Sequence, residues 1–258
     1  MLMSVCLLAF CGCLEDKSKT TDDLEDARIY LRQRDFMEAE KSFERYLRRN
    51  PNGADRWEVW NHLADMALTV RHDRNSAIEL FEAMMLEYET QPEYRRQVQD
   101  KLAAEYEQVR RYEKSVELWG KLVQDPEVPS LQKADSYRNL ARIYLRRLEF
   151  ELAKESLGYC MDLDIPQVAK ANCQYDLADV YMTMDDLKAG ITELRSLLEQ
   201  RDVDNDLRVL SVFMLADALE QQGSRDTALG LFESIRYIYP NPRVIESRID
   251  YLRKQLKK

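Results

Sequence analysis

Three arginines recur at every fourth position in the middle of the chain, at Arg138, Arg142 and Arg146. Residues four apart lie on one face of an α-helix, so this spacing places three guanidinium groups in a row. A guanidinium binds a carboxylate through two parallel hydrogen bonds, and the row therefore suits an acidic segment or a C-terminal carboxylate of another protein. The alternative is that the arginines pair with carboxylates of neighbouring helices, for which the candidates are Asp100, Asp135 and Asp179.

Residue patterns of known catalytic or metal sites are otherwise absent from the sequence. The two histidines, His62 and His72, do not form a His-Glu-x-x-His motif, and no Cys-x-x-Cys pair is matched by a second one, so no zinc site is predicted. A glycine-rich phosphate loop is also missing. Carboxylates on helices rich in Lys and Arg usually form a solvated face and not an acid-base pair. We therefore predict a non-enzymatic protein with no metal and no cofactor.

Two cysteines lie outside the N-terminal segment, at Cys160 and Cys173. Two interpretations remain open from the sequence. The thiols could be buried as small hydrophobic groups, or they could form a disulfide if the chain is exported to an oxidising compartment. The disulfide also requires the two α-carbons to lie within about 7 Å of each other.

An internal repeat predicts the elements that position these residues. A Leu-Ala pair recurs at spacings of 39, 38, 37 and 38 residues, and a second small residue follows each pair 12 or 13 positions after its alanine. A fixed period in this range indicates a stack of helical hairpins that cross closely at the small residues. Alternating apolar and polar residues are scarce, so no sheet is predicted. The pairs are Leu63-Ala64, Leu102-Ala103, Leu140-Ala141, Leu177-Ala178 and Leu215-Ala216.

The repeat resembles the tetratricopeptide repeat family over residues 23–241. Its period is about four residues longer than the family's usual unit, and Pro92, Pro129 and Pro166 stand where each longer first helix would begin. Four residues add about one helical turn. The resemblance implies an all-α solenoid of six helical hairpins. Residues 242–258 carry a single apolar stripe, which predicts a C-terminal capping helix.

In this family the first helix of each repeat lines a concave groove that holds a partner segment. The resemblance places the arginine row in that groove, and two residues of the next repeat occupy equivalent places. The predicted partner-binding residues are Arg138, Arg142, Arg146, Tyr175 and Asp179. The Lys and Asn set of the family's carboxylate clamp is not present. If the arginine face is not the binding site, the next candidates are Tyr175, Met182 and Phe213.

The apolar run Met1 to Phe10 is followed by Cys11-Gly12-Cys13 and a polar stretch. The run is too short to span a bilayer as a helix and fits the apolar part of a secretory signal. It resembles a bacterial lipoprotein signal, over residues 1–13, in which Cys13 is the lipid anchor. Residues 14–22 would then be a flexible tether. The resemblance implies a lipid-anchored protein of the cell envelope that faces the periplasm.

The composition is that of a soluble helical protein, with 45% apolar and 33% charged residues among 258 and a net charge of -9. Such a charge does not attract nucleic acid or anionic lipid. We therefore expect an envelope scaffold that holds a protein or peptide. One alternative is a component of outer-membrane protein or pilus/secretin assembly, since lipoproteins in both systems carry tetratricopeptide repeats. Another is a cytosolic scaffold whose start site is misassigned. The sequence does not identify the partner, the pathway, the membrane or the oligomeric state.

Overall fold

The protein's computed structural model describes residues 17–257, with side chains from Asp23 onward. The predicted signal segment and lipid-anchor Cys13 lie outside the described residues. Within residues 17–257 the chain forms thirteen α-helices and no strand, as the repeat period predicts. None of these described helices combines the length and the apolar character needed to cross a membrane.

The helices fall into two compact units. In its described part, residues 17–88, the first unit contains α1 (Lys17–Gln33), α2 (Phe36–Arg49), α3 (Arg56–Thr69) and α4 (Arg74–Glu87). The second unit, described over residues 89–257, contains α5 (Pro92–Gln108), α6 (Tyr112–Gln124), α7 (Ser130–Arg146), α8 (Phe150–Asp162), α9 (Gln167–Thr183), α10 (Leu187–Glu199), α11 (Asn205–Gln221), α12 (Arg225–Ser234) and α13 (Pro242–Leu256).

Within each unit, successive helices pair as hairpins. In the second unit α5 packs on α6, α7 on α8, α9 on α10 and α11 on α12, and α13 covers α12 as the predicted capping helix. The second helix of each hairpin also packs against the first helix of the next, and α9 contacts both α7 and α11. The first helices α7, α9 and α11 therefore lie side by side along one surface of this unit.

The small residues of the repeat are buried where the helices cross. Gly190 shows why they must be small, because a Cβ atom at that position would lie only 2.8 Å from the sulfur of Met182. Larger side chains fill the space around each crossing, as expected for close-packed interiors. The buried small residues are Ala27, Ala39, Ala64, Ala77, Ala103, Ser115, Ala141, Ala153, Ala178, Gly190, Ala216 and Ala228.

The helix starts agree with the proline signals, with one exception near the N-terminus. Pro92 is the first residue of α5, and Pro129 and Pro166 immediately precede α7 and α9, which are each 17 residues long. The exception is α1, which begins at Lys17 and not near Asp23, so residues 17–22 of the predicted tether are helical. Asp23 lies within α1, where it is buried and accepts hydrogen bonds from Arg45 at 3.1 Å and from Arg49 at 2.8 Å.

The repeat extends to the geometry of the turns. In each described hairpin, the turn between the first and second helix contains one residue with a positive φ angle. Glycine accepts this left-handed backbone without steric cost, but only Gly223 is a glycine. The other five are Arg34, His72, Arg110, Leu148 and Asp185, with φ between 53° and 63°.

Candidate functional site

The arginine row of α7 is held by carboxylates of the two flanking first helices. Arg142 donates from Nε and Nη2 to the two carboxylate oxygens of Glu107 on α5, at 2.8 and 2.6 Å. Nη1 of Arg146 lies 3.4 Å from the same carboxylate. On the other side, Nε of Arg138 donates to Asp176 of α9 at 2.6 Å. At distances shorter than 4.0 Å, the three guanidinium groups are thus opposed by these two carboxylates.

The two closest partners, Glu107 and Asp176, are not among the three carboxylates that the sequence suggests, of which only Asp135 reaches the row. Asp100 accepts a hydrogen bond from Nε1 of Trp119 at 3.0 Å instead. Asp135 is exposed and reaches Arg138 only at 4.0 Å. Asp179 forms an ion pair with none of the described residues. Helical side chains lean toward the helix N-terminus, so Glu107 near the end of α5 reaches back to the arginines.

Glu107 is the buried member of this cluster. Its side chain is 1% exposed, whereas the side chains of Arg142 and Arg146 are about half exposed. A carboxylate removed from water is stable in its charged form only if cations and hydrogen bonds replace the lost hydration. The hydrogen bonds to Glu107 raise the pKa of Arg142 above its usual value. Each guanidinium group of the arginine row therefore has a carboxylate partner among the described residues.

Two cavities lie along the first helices of the second unit, and Asp179 lines both. The smaller has a volume of about 120 Å³ and includes Arg138, Ala141 and Arg142. The larger, about 410 Å³, lies between α9 and α11, and we call it the α9–α11 groove. Its lining residues are Tyr175, Asp179, Met182, Thr183, Leu210, Phe213, Met214, Asp217, Gln221 and Tyr239.

The α9–α11 groove combines aromatic and apolar side chains with four polar ones. Phe213 stacks on Tyr239 with ring centres 4.6 Å apart, and it meets the buried ring of Phe232 edge-on at 5.3 Å. Burial, followed by the negative charge of Asp179, raises the pKa of Tyr175 to about 12. The structure thus brings together Tyr175, Met182 and Phe213, the next candidates from the sequence. It adds Tyr239, which comes from the turn after α12 and has no equivalent in the predicted first-helix positions.

The two carboxylates of the α9–α11 groove differ in their surroundings. Asp217 pairs with Arg248 of α13 and accepts a hydrogen bond from Gln221 at 2.8 Å. Asp179 has no such counterion among the described residues. Desolvation by the surrounding helices, followed by repulsion from Asp176, raises the pKa of the Asp179 carboxyl above its usual value. Asp179 is therefore a carboxyl group in the groove for which the described part of the chain provides no counterion.

Cys160 and Cys173 form a disulfide between α8 and α9, with their α-carbons 6.1 Å apart. Both residues are fully buried. The bond links the helix that carries Tyr175 and Asp179 to the preceding hairpin, so it restrains one wall of the groove. Among residues 17–257 we find no cluster of histidine, cysteine or acidic side chains suited to hold a metal ion.

The model of the tetratricopeptide repeat family matches residues 24–84 and 175–241. These two stretches are similar to tetratricopeptide repeats. The second stretch contains every residue that lines the α9–α11 groove. The matches support a tetratricopeptide scaffold for protein interaction, a family that is generally non-enzymatic. No curated protein matches the chain in sequence.

Solved structures with a similar fold confirm the all-α, tetratricopeptide-like solenoid class. PilW, a widely conserved type IV pilus biogenesis factor, is 15% identical with a TM-score of 0.59, over 90% of this chain and 98% of that chain. PilF of Pseudomonas aeruginosa is 14% identical with a TM-score of 0.57, over 92% and 98%. The nearly identical TPR-like repeats of a Podosopora anserina protein are 21% identical with a TM-score of 0.57, over 76% and 98%. At these identities the likeness concerns the fold alone.

Proposed function

We propose that the chain is a non-enzymatic scaffold that holds a segment of a partner protein in the α9–α11 groove. The observation that supports this most strongly is an open groove of about 410 Å³ on the repeat helices, lined by aromatic and apolar side chains together with a few polar ones. Cavities that are mostly apolar with a few polar groups are typical binding sites. In this proposal the partner segment contacts Tyr175, Asp179 and Phe213, and the arginine row keeps the neighbouring helices in place.

The expectation of an acidic partner segment is not retained. It depended on three free guanidinium groups, whereas Arg142 and Arg146 are engaged by Glu107, and Arg138 by Asp176. An acidic segment would also approach the uncompensated charge of Asp179.

The binding groove is tested by capture of partners from solubilised envelopes. We expect Phe213→Ala to lose the captured protein, because the variant removes the ring that stacks on Tyr239. Leu210→Ser is a second variant that does not disturb the packing on Phe232, since Leu210 is 37% exposed. The matched control is Tyr159→Ala, whose side chain is 51% exposed on α8 outside the groove. Unchanged capture by both groove variants, each folded by circular dichroism, would refute the proposed site.

We further propose that the scaffold is anchored in the bacterial cell envelope by a lipidated Cys13 and faces the periplasm. The apolar run and Gly12-Cys13 motif support the anchor. The disulfide between Cys160 and Cys173 supports an oxidising compartment, because structural disulfides are rare in the cytosol. The three acyl chains of a mature lipoprotein would bind a membrane far more firmly than one chain.

Two measurements test the anchor and the compartment. We expect Cys13→Ala to release the protein from membranes or to leave its precursor uncleaved, and membrane-bound protein of mature mass would contradict the anchor. Thiol alkylation before and after reduction should modify Cys160 and Cys173 only after reduction. Free thiols in freshly isolated protein would favour the alternative of a cytosolic scaffold.

A role in pilus/secretin assembly or in outer-membrane protein assembly is the second candidate. Its support is the likeness of fold to PilW and PilF over at least 90% of this chain. Deletion of the gene should then reduce surface pili, or the amount of outer-membrane proteins, and the Phe213→Ala variant should not restore them. Normal pili and a normal outer membrane in the deletion strain would exclude this candidate.

A further inference from the structure

Resting on the groove proposed above, we infer that the partner segment inserts a lysine or arginine side chain into it. The cationic head lies against Asp179, and the aliphatic stem lies on the aromatic side chains of the groove. The partner is therefore a basic and apolar segment of another protein, and not the acidic one that the arginine row suggests.

The charge of Asp179 is the first part of the inference. The other acids near it are already paired, Asp176 with Arg138 and Asp217 with Arg248. Asp179 has no cationic partner among the described residues, and both desolvation and Asp176 oppose its ionisation. A cation from a partner would relieve that repulsion and form a charge-assisted hydrogen bond in a partly desolvated site.

The aromatic lining is the second part of the inference. Tyr175, Phe213 and Tyr239 give the groove ring surfaces, and cations bind favourably over such rings. Lysine and arginine have an aliphatic stem that packs on apolar groups while the charged head reaches a polar one. The chain's own Arg248 already lies 5.5 Å from the ring centre of Phe232, beside Phe213.

The same features disfavour the other classes of segment. An acidic side chain would bring a second negative charge close to Asp179. A neutral apolar side chain would remove water from Asp179 without replacing it by a cation, and burying an uncompensated charge is costly. Among single side chains, only a basic one satisfies both the carboxylate and the aromatic lining.

The groove provides its own reporters, because the methyl groups of Met182 and Met214 line it. The purified full chain, labelled with ¹³C at its methionine methyl groups, is titrated with three capped peptides of sequence Ser-Leu-X-Leu-Ser, where X is Lys, Gln or Glu. We expect the Lys peptide to shift the signals of Met182 and Met214 and to bind at least tenfold more tightly than the Glu peptide. Its binding should weaken as the salt concentration rises.

Replacement of the Asp179 carboxylate by an amide separates the contribution of its charge to peptide binding from that of apolar contacts. Asp179→Asn keeps the shape of the side chain. It should weaken the binding of the Lys peptide at least fivefold and leave the affinity for the Gln peptide unchanged. The matched control is Asp164→Asn, because Asp164 is an exposed acid in the turn between α8 and α9. This substitution should leave the affinities for both peptides unchanged. A heteronuclear spectrum of each variant verifies its fold.

Several results would overturn the inference. These are equal binding of the Lys and Gln peptides, an unchanged Lys affinity in Asp179→Asn, tighter binding of the Glu peptide, or no shift at Met182 and Met214 with any peptide. If Phe213→Ala and Leu210→Ser still lose the captured partner in these cases, only the basic character of the segment is wrong. If they also retain the partner, the groove itself is wrong.

Discussion

Removal of the arginines that hold Glu107 should destabilise the second unit. The variants are Arg142→Gln and the double variant Arg142→Gln/Arg146→Gln. Glu107 is 1% exposed and receives two hydrogen bonds from Arg142 at 2.8 and 2.6 Å, with Arg146 at 3.4 Å. Without both cations, the buried carboxylate would have to remain charged without a partner or bind a proton.

The size of the effect follows from this arrangement. Breaking a buried ion pair by removing one partner costs about 3–5 kcal/mol, and the solvent that reaches half of each guanidinium lowers the expected loss. Arg146 can replace part of the interaction in the single variant, for which we expect about 1–2 kcal/mol. For the double variant we expect about 3 kcal/mol, at the lower end of that range. At about 2–4 °C per kcal/mol for a chain of this size, its melting temperature should fall by about 6–12 °C.

The assay is urea unfolding monitored by circular dichroism, with Glu107→Gln as the third member of a double-mutant cycle. In the double arginine background, Glu107→Gln removes the uncompensated charge and should restore most of the lost stability. The Lys peptide should bind the folded double variant within about twofold of wild type. Unchanged stability together with lost partner binding would refute this reasoning, because the arginine row would then be a binding site and not a structural clamp.

Three further predictions concern the groove and the helix crossings. Asp179→Asn should raise the melting temperature at neutral pH, because the carboxyl pKa is raised in the folded state and its ionisation therefore costs stability. The difference should shrink as the pH falls through that raised pKa and vanish below the unfolded-state aspartate pKa of about 3.9. Ala153→Leu should cost about 1–3 kcal/mol in urea unfolding by overpacking, whereas Glu151→Leu on the exposed face should change stability by less than about 0.5 kcal/mol. Gly158→Ala should stabilise α8 by about 0.5–1 kcal/mol, because its new Cβ meets no atom within 4 Å; Gly190→Ala, which is crowded by a methionine sulfur, should not.

Equal losses of unfolding free energy from Ala153→Leu and Glu151→Leu in urea would contradict the assignment of Ala153 to a helix crossing. A pH-independent difference between Asp179→Asn and wild type would contradict the assignment of a raised pKa to this carboxyl.

The hairpins could be predicted from the sequence because their physical cause is local and periodic. Close crossings require small residues, so positions such as Ala141, Ala153 and Gly190 recur at a nearly fixed spacing with large apolar residues around them. The capping helix was predictable for the same reason, since Ile245, Ile249 and Leu252 form one buried stripe. The start of α1 at Lys17 was not predictable, because it precedes the first repeat and the repeat period gives no signal there.

The site was predictable only in part, because it depends on how successive hairpins are rotated. The period places Tyr175 and Phe213 on first helices, and the structure gathers them in one groove. The repeat period does not reveal that Glu107 reaches the arginines, since that contact depends on the tilt of side chains between hairpins. The disulfide likewise depends on a distance between α8 and α9 that no spacing in the sequence determines.

Site-specific photo-crosslinking in living cells tests the binding groove most directly. A benzoylphenylalanine replaces Leu210, which lines the α9–α11 groove and is 37% exposed, or Tyr159, which is exposed on α8 outside the groove. We predict that position 210 crosslinks to one partner protein through a segment containing lysine or arginine, and that position 159 does not crosslink to that protein. Crosslinking of the same partner from position 159 but not from position 210 would contradict the groove as the site that holds the partner.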